Sequence, residues 1–298
     1  MLNVDLVICS SGQDHLILKH TLERIEKYTE YPAFHLWLVD NSEFVTAPDF
    51  VNGLQVDLPM TIVPIRTGQE HLIQKHGGSF VHIELLNRMV KEQVEAPLLL
   101  TMDSDCMPLR KGWMTELVEM MDDKTGCAGV LHPFKPPPME DDTELFNIAR
   151  RIRAIQCYRY THVCCQIVRT KSLKDWEIDF SVKPPFALDT GLQIPWRARK
   201  AGLDIKGWKL SRYPVVLGSD LDVKNRRYCL VFGDTIYHHG TGGHDPKNSE
   251  SFSPYISIRQ RVLDEGPEFL LTEGVEYDLD NDSDQEYIEF WEKWYGLN

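Results

Sequence analysis

The sequence contains no run approaching about 18 consecutive apolar residues, so no membrane-spanning helix is expected. It carries neither the GxGxxG turn of a dinucleotide site nor the GxxxxGK of a P-loop, and it shows no internal repeat or low-complexity segment. No Cys-x-x-Cys pair occurs. The seven cysteines (Cys9, Cys106, Cys127, Cys157, Cys164, Cys165 and Cys229) form no regular framework, which argues for free thiols in a reducing compartment and against zinc. Basic residues are scarce, 32 against 45 acidic, and the net charge of -13 lacks the basic face that a nucleic-acid partner requires. The opening Met1-Leu2-Asn3-Val4-Asp5 has none of the charged and apolar regions of a signal peptide. A soluble cytoplasmic protein is expected, and the sequon at Asn281-Asp282-Ser283 reads as an acidic turn.

What is present is a 298-residue chain, 42% hydrophobic, with ample material for a large α/β core. Val4 to Cys9 reads as a buried strand, and His15 to Tyr28 as a helix with Leu18, Leu22 and Ile25 on one face. Strands follow at Phe34 to Val39 and Met60 to Val63. Val81 to Val94 has the helical spacing of Ile83, Leu86, Val90 and Val94, and leads into the apolar run Pro97 to Met102. Further on, Trp113 to Met121 reads as a helix and Cys127 to Leu131 as a return strand. Pro133-Phe134-Lys135-Pro136-Pro137-Pro138 breaks the chain. Later segments are a helix at Glu144 to Ile155, a strand at Val163 to Val168, a helix at Asp189 to Ala201 capped by Gly202, and β-like residues near Tyr228 to Tyr237. A helix near Ser253 to Leu263 and an acidic, aromatic tail from Glu286 to Tyr295 close the chain. This alternation predicts a mostly parallel sheet flanked by helices.

Three polar turns fall at the carboxyl ends of predicted strands: Ser10-Ser11, Asp40-Asn41-Ser42 and Asp103-Ser104-Asp105. In an open parallel sheet those ends form one edge, where ligands gather. Two aspartates two residues apart at such an end can share one hard divalent cation, Mn²⁺ or Mg²⁺. A strand-terminal aspartate also serves as a turn or helix cap. Trp113, Trp196 and Trp208 fit stacking on a sugar or base, or simple packing.

Leu6-Val7-Ile8-Cys9-Ser10-Ser11, Leu36-Trp37-Leu38-Val39-Asp40-Asn41-Ser42 and Leu100-Thr101-Met102-Asp103-Ser104-Asp105 together resemble the nucleotide-sugar half of GT-A-fold glycosyltransferases, above all the inverting family two. The resemblance covers about the first 130 residues well and runs more loosely to His244. It implies a GT-A, Rossmann-like fold and a metal-dependent transfer of a sugar from a nucleoside diphosphate donor, UDP first, to a carbohydrate, lipid-linked or protein hydroxyl. Residues 1–132 would bind the donor, 133–252 would hold the acceptor and base, and 253–298 would be a helical acidic tail.

Residue by residue, the resemblance implies that Ser10 and Asp40 contact base and ribose, that Asp103 and Ser104 lie beside the donor, and that Asp103 and Asp105 hold the metal. Gly77 and Gly78, within Gln74 to Ser79, would pass near the nucleotide or serve as a plain connector. Asp189, in Phe186 to Gln193, resembles the family's base segment, although the usual preceding acid is Leu188 here; the rival role is a helix N-cap. Ile236 to His244 resembles the late segment that completes the metal site with a histidine. Alternation lets only one of His238 and His239 face the crevice, and the His-x-x-Gly spacing favours His239. A nucleotide-sugar-making nucleotidyltransferase is the rival enzyme, although Ser10-Ser11-Gly12-Gln13-Asp14 lacks its glycine-rich basic loop. A nucleotide- or carbohydrate-binding protein without turnover is the rival from another class.

Overall fold

The computed structural model describes residues 2–10, 15–41, 55–65, 79–133, 159–180, 190–191, 193–214, 229–240 and 253–276. The chain alternates strand and helix as expected. The elements up to the acid turn are β1 (Val4–Ser10), α1 (His15–Tyr28), β2 (Phe34–Asp40), β3 (Met60–Pro64), α2 (Ser79–Glu92), β4 (Leu98–Asp103) and β5 (Cys106–Pro108). Next come α3 (Trp113–Glu119), β6 (Thr125–Pro133), β7 (Arg159–Arg169), α4 (Thr170–Asp175), α5 (Gln193–Lys200) and β8 (Asp204–Tyr213). The last are β9 (Leu230–Phe232), β10 (Ile236–His238), α6 (Ser253–Glu265), α7 (Leu270–Glu273) and β11 (Val275–Glu276).

The central sheet runs β3-β2-β1-β4-β7-β6-β8. Within this path β7 alone opposes the rest, because both of its neighbours, β4 and β6, pair with it antiparallel while the remaining contacts are parallel. A smaller antiparallel ladder, β8-β9-β10-β5, continues from the edge. The mostly parallel α/β frame expected from the alternation is therefore present. The short β5 and β11 and the longer β8 are strands that the sequence pattern hides; in β8, Gly207 and the charged Lys206 and Lys209 interrupt the alternation, and the strand is only partly buried.

Burial on both faces explains the near-continuous apolar runs of β1 and β4. Alternation sends Val4, Leu6 and Ile8 to one side, against Leu18, Leu22 and Ile25 of α1 and Trp113, Met114 and Leu117 of α3. Val7 and Leu99 go to the other side, against Leu86 and Met89 of α2 and Ile194 and Ala198 of α5. Each such leucine contributes about 2 kcal/mol of transfer free energy. The small ladder has its own core, in which Met107, Val231 and Tyr237 meet Ile258 and Val262 of α6.

Trp113 and Trp208 belong to this packing. Their indole N–H groups donate to Thr29 Oγ1 at 3.0 Å and Glu116 Oε1 at 2.7 Å, so neither is offered to a ligand. The Glu144 to Ile155 segment, the Glu286 to Tyr295 tail and the Trp196 side chain lie outside the described residues. No helix among the described residues is long and apolar enough to cross a membrane.

Candidate metal and nucleotide site

Register alone brings three of the sequence-predicted turns together. Ser10 pairs with Asp40 across β1 and β2, and Cys9 pairs with Asp103 across β1 and β4, so the three strands end at one level. The Asn41 N–H donates to the Ser10 carbonyl at 2.9 Å and the Ile65 N–H to the Asp40 carbonyl at 3.0 Å, which fixes the chain as it leaves β1 and β2.

β4 ends at Asp103, and Ser104-Asp105 form a tight turn into β5, so strand alternation does not aim the two carboxylates. The turn and the returning ladder do. Thr21 of α1 donates its hydroxyl to the Ser104 carbonyl at 2.7 Å, while β5 pairs antiparallel with β10 and sets His238 opposite Cys106. The His239 N–H then donates to the Asp105 carbonyl at 3.0 Å.

His238 is thereby delivered between the carboxylates. Its Nε2 lies 3.7 Å from Asp103 Oδ2 and 3.6 Å from Asp105 Oδ1, and the side chain is almost wholly buried. His239 points elsewhere: its Nδ1 lies 2.7 Å from the Tyr237 hydroxyl and 3.7 Å from Cys229 Sγ, inside the small core. The His-x-x-Gly spacing favoured His239, but the geometry sets His238 beside the acids, because β10 alternates and its Tyr237 side chain meets that of His239, the residue just past the strand, on the far side. Burial pushes His239 down to about 3, with Arg259 and His238 adding to the shift, so it is a neutral core histidine.

Two further imidazoles that the sequence reading did not single out converge on Asp103. His82 of α2 places Nε2 3.8 Å from Asp103 Oδ1, and the His162 ring of β7 lies 6.0 Å from the His238 ring. Burial favours the neutral acid, yet the hydrogen bond from His238 and the charges of His82, His238 and His162 outweigh it and hold Asp103 at about 2. Asp103 is ionised at neutral pH. Its Oδ1 is buried and has no hydrogen-bond donor among the described residues.

Cys164 completes the surroundings: one ligand atom each from Asp103, Cys164 and His238 lie within 4.8 Å of one another. His162 and Cys164 are two residues apart on a strand, so period-2 alternation is the signal that would have placed them on one side together. Burial, with Asp103, Cys165 and Asp105 adding, pushes the Cys164 thiol up to about 12, opposed by a hydrogen bond with Cys106.

Ser10 and Asn41 are buried at this edge, and Asp40 is half-buried. Gly77, Gly78 and Asp189 lie outside the described residues, as do Ser11 to Asp14. The α5 helix that Asp189 precedes in sequence spans Gln193–Lys200.

No protein-family model matches the chain, and no curated protein matches it. Among solved structures it is similar to the mannosyltransferase PcManGT from Pyrobaculum calidifontis, determined in complex with GDP-Man and Mn²⁺, with 14% identity and a TM-score of 0.44 over 69% of this chain and 54% of that one. It is also similar to residues 1–349 of S. aureus TarS, with 17% identity and a TM-score of 0.43 over 66% and 55%. The same TarS segment in complex with UDP-GlcNAc gives 17% identity and a TM-score of 0.40 over 60% and 49%. The match spans about half the length of each of these chains.

Proposed function

We propose that the chain is a metal-dependent, inverting glycosyltransferase of the GT-A type, moving a hexosyl group from a nucleoside diphosphate donor, UDP first, to an acceptor hydroxyl. One observation carries the reading. Ser10, Asp40 and the Asp103-Ser104-Asp105 turn end three adjacent parallel strands at one level, and a buried histidine reaches both carboxylates there.

The donor set fits a divalent cation. His238 Nε2 lies within 3.7 Å of an oxygen of each carboxylate, and the buried Asp103 Oδ1 lacks a hydrogen-bond donor among the described residues. Asp103, Asp105 and His238 would hold Mn²⁺ or Mg²⁺, with His238 taking the place that spacing had given to His239. Such an ion, when bound, neutralises charge developing on a departing diphosphate. The chain's own contribution is to keep Asp103 ionised, which the three imidazoles around it do, and to fix the turn through Thr21.

Ser10 and Asp40 at the ends of β1 and β2 would take the base and ribose, with Ser104 beside the donor and Gly77 and Gly78 letting backbone approach the phosphates. Asp189 is the proposed base: it would accept the acceptor hydroxyl's proton as that oxygen attacks from the face opposite the leaving group. Residues 1–132 then form the donor half, 133–252 the acceptor half and 253–298 a tail.

The test is release of UDP from a panel of UDP-sugars in the presence and absence of Mn²⁺. Mn²⁺-dependent release with an acceptor supports a transferase. Donor binding without release identifies a binding protein, and formation of a nucleotide-sugar from nucleoside triphosphate and sugar phosphate identifies a nucleotidyltransferase.

A further inference from the structure

Hard-cation sites are lined with oxygen, and a thiol among the donors is out of place in one. Here the Cys164 Sγ, a carboxylate oxygen of Asp103 and a ring nitrogen of His238 all lie within 4.8 Å of one another. Ligand atoms around a tetrahedral Zn²⁺, at about 2.0 Å for nitrogen and oxygen and about 2.3 Å for sulfur, stand roughly 3.3 to 3.8 Å apart. The 3.7 Å between His238 Nε2 and Asp103 Oδ2 falls in that range.

We propose that Asp103, Cys164 and His238 form a site for a thiophilic divalent cation, Zn²⁺ being the ion to test, and that its occupancy competes with the ion of the proposed transfer reaction. The competition follows from shared donors. Asp103 and His238 serve both ions, while Cys164 serves only the softer one, so Zn²⁺ gains a ligand that Mn²⁺ does not use. Binding would displace the thiol proton to solvent and leave a thiolate on the metal. Ligands far apart in sequence, at positions 103, 164 and 238, explain why no Cys-x-x-Cys spacing announces the site.

This inference rests on the transferase reading only for its consequence, inhibition; the site itself stands on the donor geometry. X-ray absorption at the zinc edge of the stoichiometrically loaded wild-type chain reads it directly. One sulfur at about 2.3 Å beside nitrogen and oxygen at about 2.0 Å is expected. A shell of nitrogen and oxygen alone overturns the proposal, and this measurement needs no variant. Cys164→Ser, checked for folding by circular dichroism, should lose the sulfur signal and bind Zn²⁺ at least about tenfold more weakly in competition with a chromophoric chelator. Retention of sulfur or affinity in that variant also overturns it. UDP release with Mn²⁺ alone is scored separately, so a missing sulfur and a missing transferase activity are distinct results.

Discussion

His238 stands opposite Cys106 in the antiparallel pairing of β10 with β5, and that register sets its imidazole within 3.7 Å of both Asp103 and Asp105. The neighbouring His239 falls on the other side. Substitutions at the two positions should therefore have different effects. His238→Ala should weaken Mn²⁺ binding about 10- to 100-fold, and Asp103→Asn should lower Mn²⁺-dependent UDP release about 100-fold or more. Calorimetric titration with Mn²⁺ and a coupled UDP assay check both, and unchanged metal binding in His238→Ala would remove that residue from the site.

His239 should govern acid stability instead. Its pKa is lowered from 6.5 to about 3, chiefly by burial, so the unfolded chain binds a proton that the folded chain refuses. Its contribution is complete above about pH 6.5 and is lost as pH falls from there towards 3, at roughly 1 kcal/mol per pH unit. His239→Gln keeps an acceptor for Tyr237 and cannot be protonated in this range. Urea denaturation between pH 4 and 7 should show a flatter profile for that variant.

Asp5 should prove a structural anchor. This buried carboxylate near the start of the apolar β1 accepts the Trp37 indole N–H at 3.0 Å and the Glu95 and Ala96 backbone N–H groups at 2.8 Å each, fixing the entry to β4. Asp5→Asn turns one acceptor into a donor facing donors, at a cost of about 2 kcal/mol by chemical denaturation.

Gly207 faces Gly129 where β8 pairs with β6, and an added Cβ would stand 1.8 Å from the Gly129 carbonyl oxygen. Backbone cannot yield as a side-chain tip can. Gly207→Ala should destabilise by about 2–3 kcal/mol, seen as a lowered melting temperature.

Arg24 and Glu268 form a partly buried ion pair that Tyr28 supports with a hydrogen bond of 2.9 Å. Burial raises the Glu268 pKa, but the pairing with Arg24 outweighs it and the net shift is downward from 4.5. The contribution is therefore present above about pH 4.5 and is lost as pH falls below it. Arg24→Ala should destabilise by about 1–2 kcal/mol at pH 7 and by less at pH 4.

The alternation of apolar runs and amphipathic segments is enough to predict β1, α1, β2, β3, α2 and β4, because each buries a continuous face whose period survives in the residue order. β8 escapes that logic, since Gly207 and two lysines break its period. The acid pair is legible as Asp103 and Asp105 at a strand end, and β1, β2 and β4 do end at one level. The reason the carboxylates face one histidine is not legible, because it lies in a turn and in a pairing between residues more than 100 positions apart. His82, His162 and Cys164 arrive from α2 and β7: the two-residue spacing of His162 and Cys164 puts them on one side of their strand, but only tertiary packing turns that side, and α2 with it, towards Asp103.

Thr21, Arg24 and Tyr28 are spaced three and then four residues apart, so they share one side of α1. Thr21 grips the turn bearing the two aspartates, while Arg24 and Tyr28 grip Glu268 in the segment joining α6 to α7. One rigid rod thus couples the chain's late helical segment to its acid turn, and a force that lifted Glu268 away would be transmitted about two helical turns along that rod.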